Sequence, residues 1–188
     1  MERLIEIAVD LLAFCESQSW RACVIGGLAV QRWGEPRLTR DVDLSLLTGF
    51  GRESVFIEKL LERYQARIED PEAFALRNRV LLLVKDGVGI DVALAAIPFE
   101  ERVIERSSSF EFLPGKSLRT CSVEDLIVYK AFADRQRDWT DIEAILVRQG
   151  SALDLQAIKA ELGPLIAAKE SPQILIRLKE MFTRFESR

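Results

Sequence analysis

The chain contains no histidine. One absence thereby removes the commonest general base, the histidine-based nucleophile triads and imidazole metal sites. Any chemistry has to run on carboxylates, lysine, arginine and a metal held by oxygen. Cysteine is scarce: Cys15, Cys23 and Cys121 lie far apart with no CxxC spacing, so neither a zinc knuckle nor a redox pair is signalled. They are expected to be small buried apolar residues in a reducing compartment. No apolar run approaches the ~20 residues that span a bilayer, and Met1-Glu-Arg-Leu-Ile-Glu opens an amphipathic helix instead of a signal peptide. The expectation is a cytoplasmic protein with no membrane association. A large charge of either sign is also missing: the net charge of −4 argues against indiscriminate binding to nucleic acid, while leaving room for a local basic patch.

What is present suits an ordinary globular protein. With 188 residues, 48% apolar and 30% charged, the chain is long enough for one well-cored domain, or a compact domain with a helical appendix. Apolar residues recur at Leu4, Ile5, Ala8, Leu11, Leu12 and Cys15, which predicts a first helix. A short strand over 22–25 runs into Gly26-Gly27, and residues 28–33 fit a two-turn helix that Gly34-Glu-Pro breaks. A second strand follows at 42–47, then an amphipathic helix at 52–64. Residues 79–85 and 88–94 read as the arms of a hairpin, because the two-residue Asp86-Gly87 turn favours positive φ and matches the twist of strands. A short helix begins near Pro98, and two brief strands flank Pro114-Gly115. Helices then follow at 123–134, with Ser122 as N-cap, and at 139–148, 155–166 and 173–185. Strands precede helices, so the expected class is α+β: a mixed sheet with flanking helices over 1–120 and a helical region over 121–188.

The second strand carries two acids, Asp41 and Asp43. Residues two apart on a strand point to the same side, while Val42 and Leu44 turn to the core. In the hairpin, Val88, Ile90, Val92 and Leu94 form one row, and Asp91 stands among the small residues Gly89 and Ala93 on the other. Each feature has a plain reading: glycines at a tight turn, acids on an edge strand, a polar interruption. Like charges on one face repel unless a cation lies between them, and Arg37 and Arg40 could serve as well as a metal. Aligned carboxylates beside a turn of backbone N–H groups suit the holding of a divalent metal against a polyphosphate.

Taken together, Gly26-Gly27-Leu-Ala-Val, Thr39-Arg-Asp-Val-Asp-Leu and Ile90-Asp-Val-Ala-Leu resemble the nucleotidyltransferase superfamily, with its polymerase-beta-like fold, over residues 20–145. Ser122-Val-Glu-Asp-Leu-Ile-Val-Tyr-Lys and Arg137-Asp-Trp-Thr-Asp-Ile resemble its AbiEii/AbiGii-toxin-like branch. The resemblance implies Asp41, Asp43 and Asp91 as ligands of two Mg²⁺ ions, with Mn²⁺ an alternative. It further implies an NTP whose triphosphate meets the Gly26 and Gly27 amides, and transfer of NMP with loss of pyrophosphate. Many relatives carry serine where Leu28 stands here, so one side-chain contact to phosphate is missing.

Lys130 lies in register with the apolar face of its helix, where it must snorkel or meet an anion. The branch places this lysine near the triphosphate. Asp138 and Asp141 read either as N-cap and N3 acids of the next helix or, by the resemblance, as acids near the site that orient the lysine or the acceptor. Arg37 and Arg40 read as contacts to phosphate or acceptor, or as surface charge. Trp33 and Trp139 read as base-stacking residues or as core. The leading expectation is a metal-dependent nucleotidyltransferase, with a toxin role and an antitoxin partner among its forms, acting on tRNA 3′ ends, a protein side chain or a small-molecule hydroxyl. The alternatives are a non-catalytic member that binds a nucleotide or a protein partner, and an aminoglycoside-type adenylyltransferase.

Overall fold

A computed structural model describes residues 1–186, and the chain divides into two compact units. The first comprises Met1–Ala29 and Leu38–Cys121; the second takes Val30–Arg37 and the chain from Ser122 onward.

A seven-stranded mixed sheet forms the first unit. In chain order its strands are β1 (Ala22–Val24), β2 (Asp41–Leu47), β3 (Gln65–Ala66), β4 (Val80–Lys85), β5 (Val88–Ala95), β6 (Ser108–Leu113) and β7 (Lys116–Thr120). Their spatial order is β3-β4-β5-β2-β1-β7-β6. The β2–β5 and β1–β7 pairs are parallel, and the other pairs are antiparallel. Asp86 and Gly87 both adopt positive φ, 52° and 77°, which is the primed turn expected of a two-residue hairpin. The helices are α1 (Glu2–Ser17), α2 (Gly26–Trp33), α3 (Glu53–Arg63), α4 (Pro71–Asn78) and α5 (Pro98–Arg106).

Alternation along β2 and β5 sorts the two faces of the sheet. Val42, Leu44 and Leu46 on β2, with Ile90, Val92 and Leu94 on β5, join Leu4, Ile5, Leu11, Ile57 and Leu60 of α1 and α3 in one buried cluster. The opposite face is thereby left to Asp41, Asp43 and Asp91, all half-buried. This is the role the period-two pattern assigns to them.

The second unit is helical: α6 (Val123–Ala133), α7 (Gln136–Gln149), a 3₁₀ turn at Gly150–Ala152, α8 (Leu155–Lys169) and α9 (Gln173–Glu186). Ser122 caps α6 as expected, its hydroxyl oxygen accepting from the Asp125 amide at 3.1 Å. Among the described residues, no helix is long and apolar enough to cross a membrane.

Four elements depart from the pattern in the sequence. Helix α2 starts at Gly26 instead of residue 28, so the glycines form its first turn. Helix α7 starts at Gln136 with Arg135 as N-cap, so Asp138 does not cap it. The capping reading of Asp138 and Asp141 is therefore wrong. Strand β3 and helix α4 occupy residues that carry no periodic signal: β3 has two residues, and α4 buries only Ala75.

Candidate active site

Asp43 and Asp91 are Cα partners in the parallel register of β2 and β5, and Asp41 pairs in the same way with Gly89. Neighbouring strands lie ~4.8 Å apart, so the pairing brings two carboxylates from separate strands side by side, with a third two residues along. Gly26 holds φ +60°, and a Cβ built there would lie 2.0 Å from Asp43 Oδ2. Glycine is required on both counts: the left-handed backbone disfavours a side chain, and the carboxylate fills the space a side chain would use. The Gly27 amide donates to Asp43 Oδ2 at 3.1 Å. One acid is thereby fixed at the N-terminus of α2, where the helix dipole favours negative charge. Gly89 is as constrained, since a Cβ there would lie 2.3 Å from Asp41 Oδ1.

A cation already stands among these acids. Arg67 Nη2 hydrogen-bonds Asp91 Oδ1, and Arg67 Nη1 lies 3.9 Å from Asp41 Oδ1. Arg67 follows the two-residue β3, and no motif marks it. The sequence signals only the need for a positive charge among like charges, for which Arg37 and Arg40 are the neighbouring candidates. Arg40 is exposed beside Asp41. Leu28 is wholly buried, so its side chain belongs to the core, as its apolar character predicts.

The donor set fits a hard divalent ion: three carboxylates offer oxygen ligands of the kind Mg²⁺ and Mn²⁺ take, and the glycines clear space for two of them. As the side chains stand, no group of three or more Asp, Glu, Cys or His residues among those described is arranged to hold a metal. The Arg67 guanidinium engages two of the three acids in that arrangement.

In the second unit, Lys130, Asp138 and Asp141 form one buried ionic network, each at most 5% exposed. Lys130 Nζ donates to Asp138 Oδ1 at 3.1 Å and to Asp141 Oδ2 at 2.6 Å. Arg37 forks onto Asp141, with Nε to Oδ1 at 2.5 Å and Nη2 to Oδ2 at 2.7 Å. Arg135 Nε donates to Asp138 Oδ2 at 2.6 Å. Lys130 does not snorkel; it meets anions of its own chain. Burial pushes the Asp141 carboxyl up, but hydrogen bonds from Arg37 and Lys130 outweigh it and hold the group below its ordinary value. Trp139 is core: it is 1% exposed, its Nε1 donates to Asp134 Oδ1 at 2.7 Å, and Arg177 stacks on its ring at 4.3 Å. Trp33 is half-buried, with the Arg32 guanidinium 4.0 Å from its ring centroid.

Comparison with known structures shows the same fold. An antigenic nucleotidyltransferase-like protein from Paracoccidioides brasiliensis aligns over 92% of this chain and 91% of its own, with a TM-score of 0.55 and 15% identity. ANT(2″)-Ia, solved with adenylyl-2″-tobramycin, aligns over 88% of this chain and 98% of its own, with a TM-score of 0.57 and 16% identity. The lincosamide antibiotic adenylyltransferase LnuA, lincomycin-bound, aligns over 72% of this chain and 91% of its own, with a TM-score of 0.50 and 15% identity. No curated protein matches the chain. The family model "Nucleotidyl transferase AbiEii toxin, Type IV TA system" matches residues 21–180, a span that takes in the glycine turn, all three strand acids and the buried lysine network, and the chain therefore belongs to this family of nucleotidyltransferases.

Proposed function

We propose that the protein transfers an NMP unit from an NTP to an acceptor hydroxyl with release of pyrophosphate, as the toxin of a toxin–antitoxin pair. The observation that carries this reading is the register match of Asp43 with Asp91, beside Asp41, on the sheet face turned away from the aliphatic cluster. Asp41, Asp43 and Asp91 would hold the divalent ions, two Mg²⁺ or Mn²⁺. When bound, such ions supply charge stabilisation to the attacking and leaving oxygens of an in-line displacement.

The remaining work falls to the chain. Asp91 accepts the proton of the acceptor hydroxyl, a task for a carboxylate in a protein without histidine. Asp43, held by the Gly27 amide, keeps a fixed position while charge moves. Gly26, Gly27 and Arg40 are the proposed contacts to the nucleotide. Lys130 is the proposed phosphate-binding lysine, with Asp138 and Asp141 as the acids that orient it; their hydrogen bonds to its ammonium support that division of labour.

The acceptor is the hydroxyl of a tRNA 3′ end, a protein side chain or a small molecule. The net charge of −4 disfavours a large nucleic-acid footprint, since each phosphate contact calls for a lysine or arginine. Incubation with total RNA, lysate protein and small hydroxyl compounds, each with NTPs labelled at the α-phosphate, identifies the class by what takes up label. Calorimetry with Mg²⁺ or Mn²⁺ and each NTP tests the site itself. Binding is expected to be lost in Asp41→Asn and Asp43→Asn, and unchanged binding in both variants overturns the assignment.

A further inference from the structure

Arg67 holds a position that neither the glycine turn nor the acidic strands account for. Its backbone N–H donates to Leu82 O at 3.0 Å, extending the β3–β4 ladder by one residue. Leu82 is in turn the Cα partner of Asp91 on β5. Arg67 thus lies in line with Asp91 and reaches it across β4. The guanidinium engages Asp91 Oδ1 and stands beside Asp41 Oδ1. The space it uses depends on Gly89: a Cβ there would lie 2.6 Å from Arg67 Nη1 as well as 2.3 Å from Asp41 Oδ1. The missing side chain at Gly89 on β5 therefore accommodates the arginine and the acid together.

We infer that Arg67 is the resident counter-ion of the carboxylate cluster, and that it competes with the divalent cation for Asp41 and Asp91. The inference rests on the reading of Asp41, Asp43 and Asp91 as metal-holding acids. The physical ground is that both cations need the same oxygens. Facing carboxylates on one sheet face repel at short range, so the metal-free protein gains from a positive charge among them. A guanidinium supplies one charge spread over a plane. A divalent ion supplies two charges at a point and prefers carboxylate oxygen. Cation uptake then includes breaking the charge-assisted contacts of Arg67, and its affinity is lowered by what those contacts contribute. Arg67 is a positioning residue in this account: it sets when the acids are available, without entering the reaction.

The test uses the full chain and Mn²⁺ alone as probe, titrated into metal-free protein and followed by the EPR signal of free Mn²⁺. Arg67→Gln is expected to bind Mn²⁺ about 10- to 100-fold more tightly than the wild type, the range set by losing a competing charge-assisted hydrogen bond. Arg67→Lys is expected to fall between the two. A merely structural role is separated by thermal unfolding. Arg67→Gln should melt below the wild type in EDTA and recover in saturating Mn²⁺, whereas a structural arginine would leave the deficit equal in both. If Mn²⁺ affinity is the same in wild type and Arg67→Gln while Asp43→Asn weakens it, the competition is overturned and the metal site stands. Mn²⁺ affinity indifferent to both substitutions overturns the metal site and the inference together.

Discussion

Asp43 and Asp91 face one another as register partners on parallel strands, β2 and β5, although 47 residues of chain lie between them. The pairing follows from two local facts. Each acid alternates with aliphatic residues of the buried cluster, so each is turned to the same face, and a one-residue slip of either strand would bury a carboxylate in the core. The site is thus locked by the packing beneath it.

Gly26→Ala should damage both fold and site. The substitution puts a Cβ on a backbone at φ +60°, 2.0 Å from Asp43 Oδ2. The left-handed conformation alone costs about 1–2 kcal/mol for a residue with a side chain, and the clash pushes Asp43 off the Gly27 amide. Urea unfolding should show at least that loss, and calorimetry should show weakened metal–nucleotide binding. A variant with wild-type stability and binding would contradict the cradle described for Asp43.

Lys130→Ala should be strongly destabilising, by about 3–5 kcal/mol, because it leaves two buried carboxylates short of a cation. Arg37 and Arg135 remain on Asp141 and Asp138, which sets the loss toward the lower end. Chemical denaturation of the variant measures it. A change under ~1 kcal/mol, the scale of an exposed pair, would show that the network is worth no more than surface charge.

The same network gives a pH dependence with a definite sign. Burial raises the Asp141 carboxyl while Arg37 and Lys130 lower it further, so its folded-state value lies below the ordinary 3.8. Asp10 is shifted the same way: burial raises it, and hydrogen bonds from Lys85, Tyr64 and Arg63 outweigh burial. A depressed carboxyl contributes stability that is present above the unfolded value and lost as pH falls through the folded one. The melting temperature should therefore hold between neutral pH and about 5 and fall below about 4. Asp141→Asn should flatten part of that fall, and an unchanged acid limb would contradict the assignment.

The cysteines should be silent in the native protein. Cys15, Cys23 and Cys121 are each at most 1% exposed, and burial pushes the Cys15 thiol up to about 12. Thiolate is the reactive form, so alkylation near neutral pH should label none of the three until denaturant is added. Rapid native labelling at Cys15 would show that α1 does not pack as described.

Strands β2 and β5 and the position of the acids are legible because burial writes a period of two into them, and the hairpin turn is legible from Asp86-Gly87. Helix α6 was legible from its Ser122 cap and apolar face. Strand β3 and helix α4 were not, since two residues and one buried alanine leave no period to read. Arg67 carries no signal for the same reason: it reaches Asp91 and Asp41 through the β3–β4–β5 alignment, a relationship among three strands that no local motif contains. Arg37 stands close to the strand acids in sequence, but its fork on Asp141 depends on a contact 104 positions away. Helix α7 begins at Gln136, and that start carries no sequence signal because its N-cap residue, Arg135, makes no side-chain cap hydrogen bond of the kind that marks a helix N-terminus.

The most direct measurement is transfer of the α-phosphate label from NTP to acceptor with matched release of pyrophosphate, in wild type and in Asp43→Asn at equal folded concentration. Label transfer and pyrophosphate release are expected in the wild type, and loss of both in the variant. Pyrophosphate release at the wild-type rate from a folded Asp43→Asn protein would contradict that expectation.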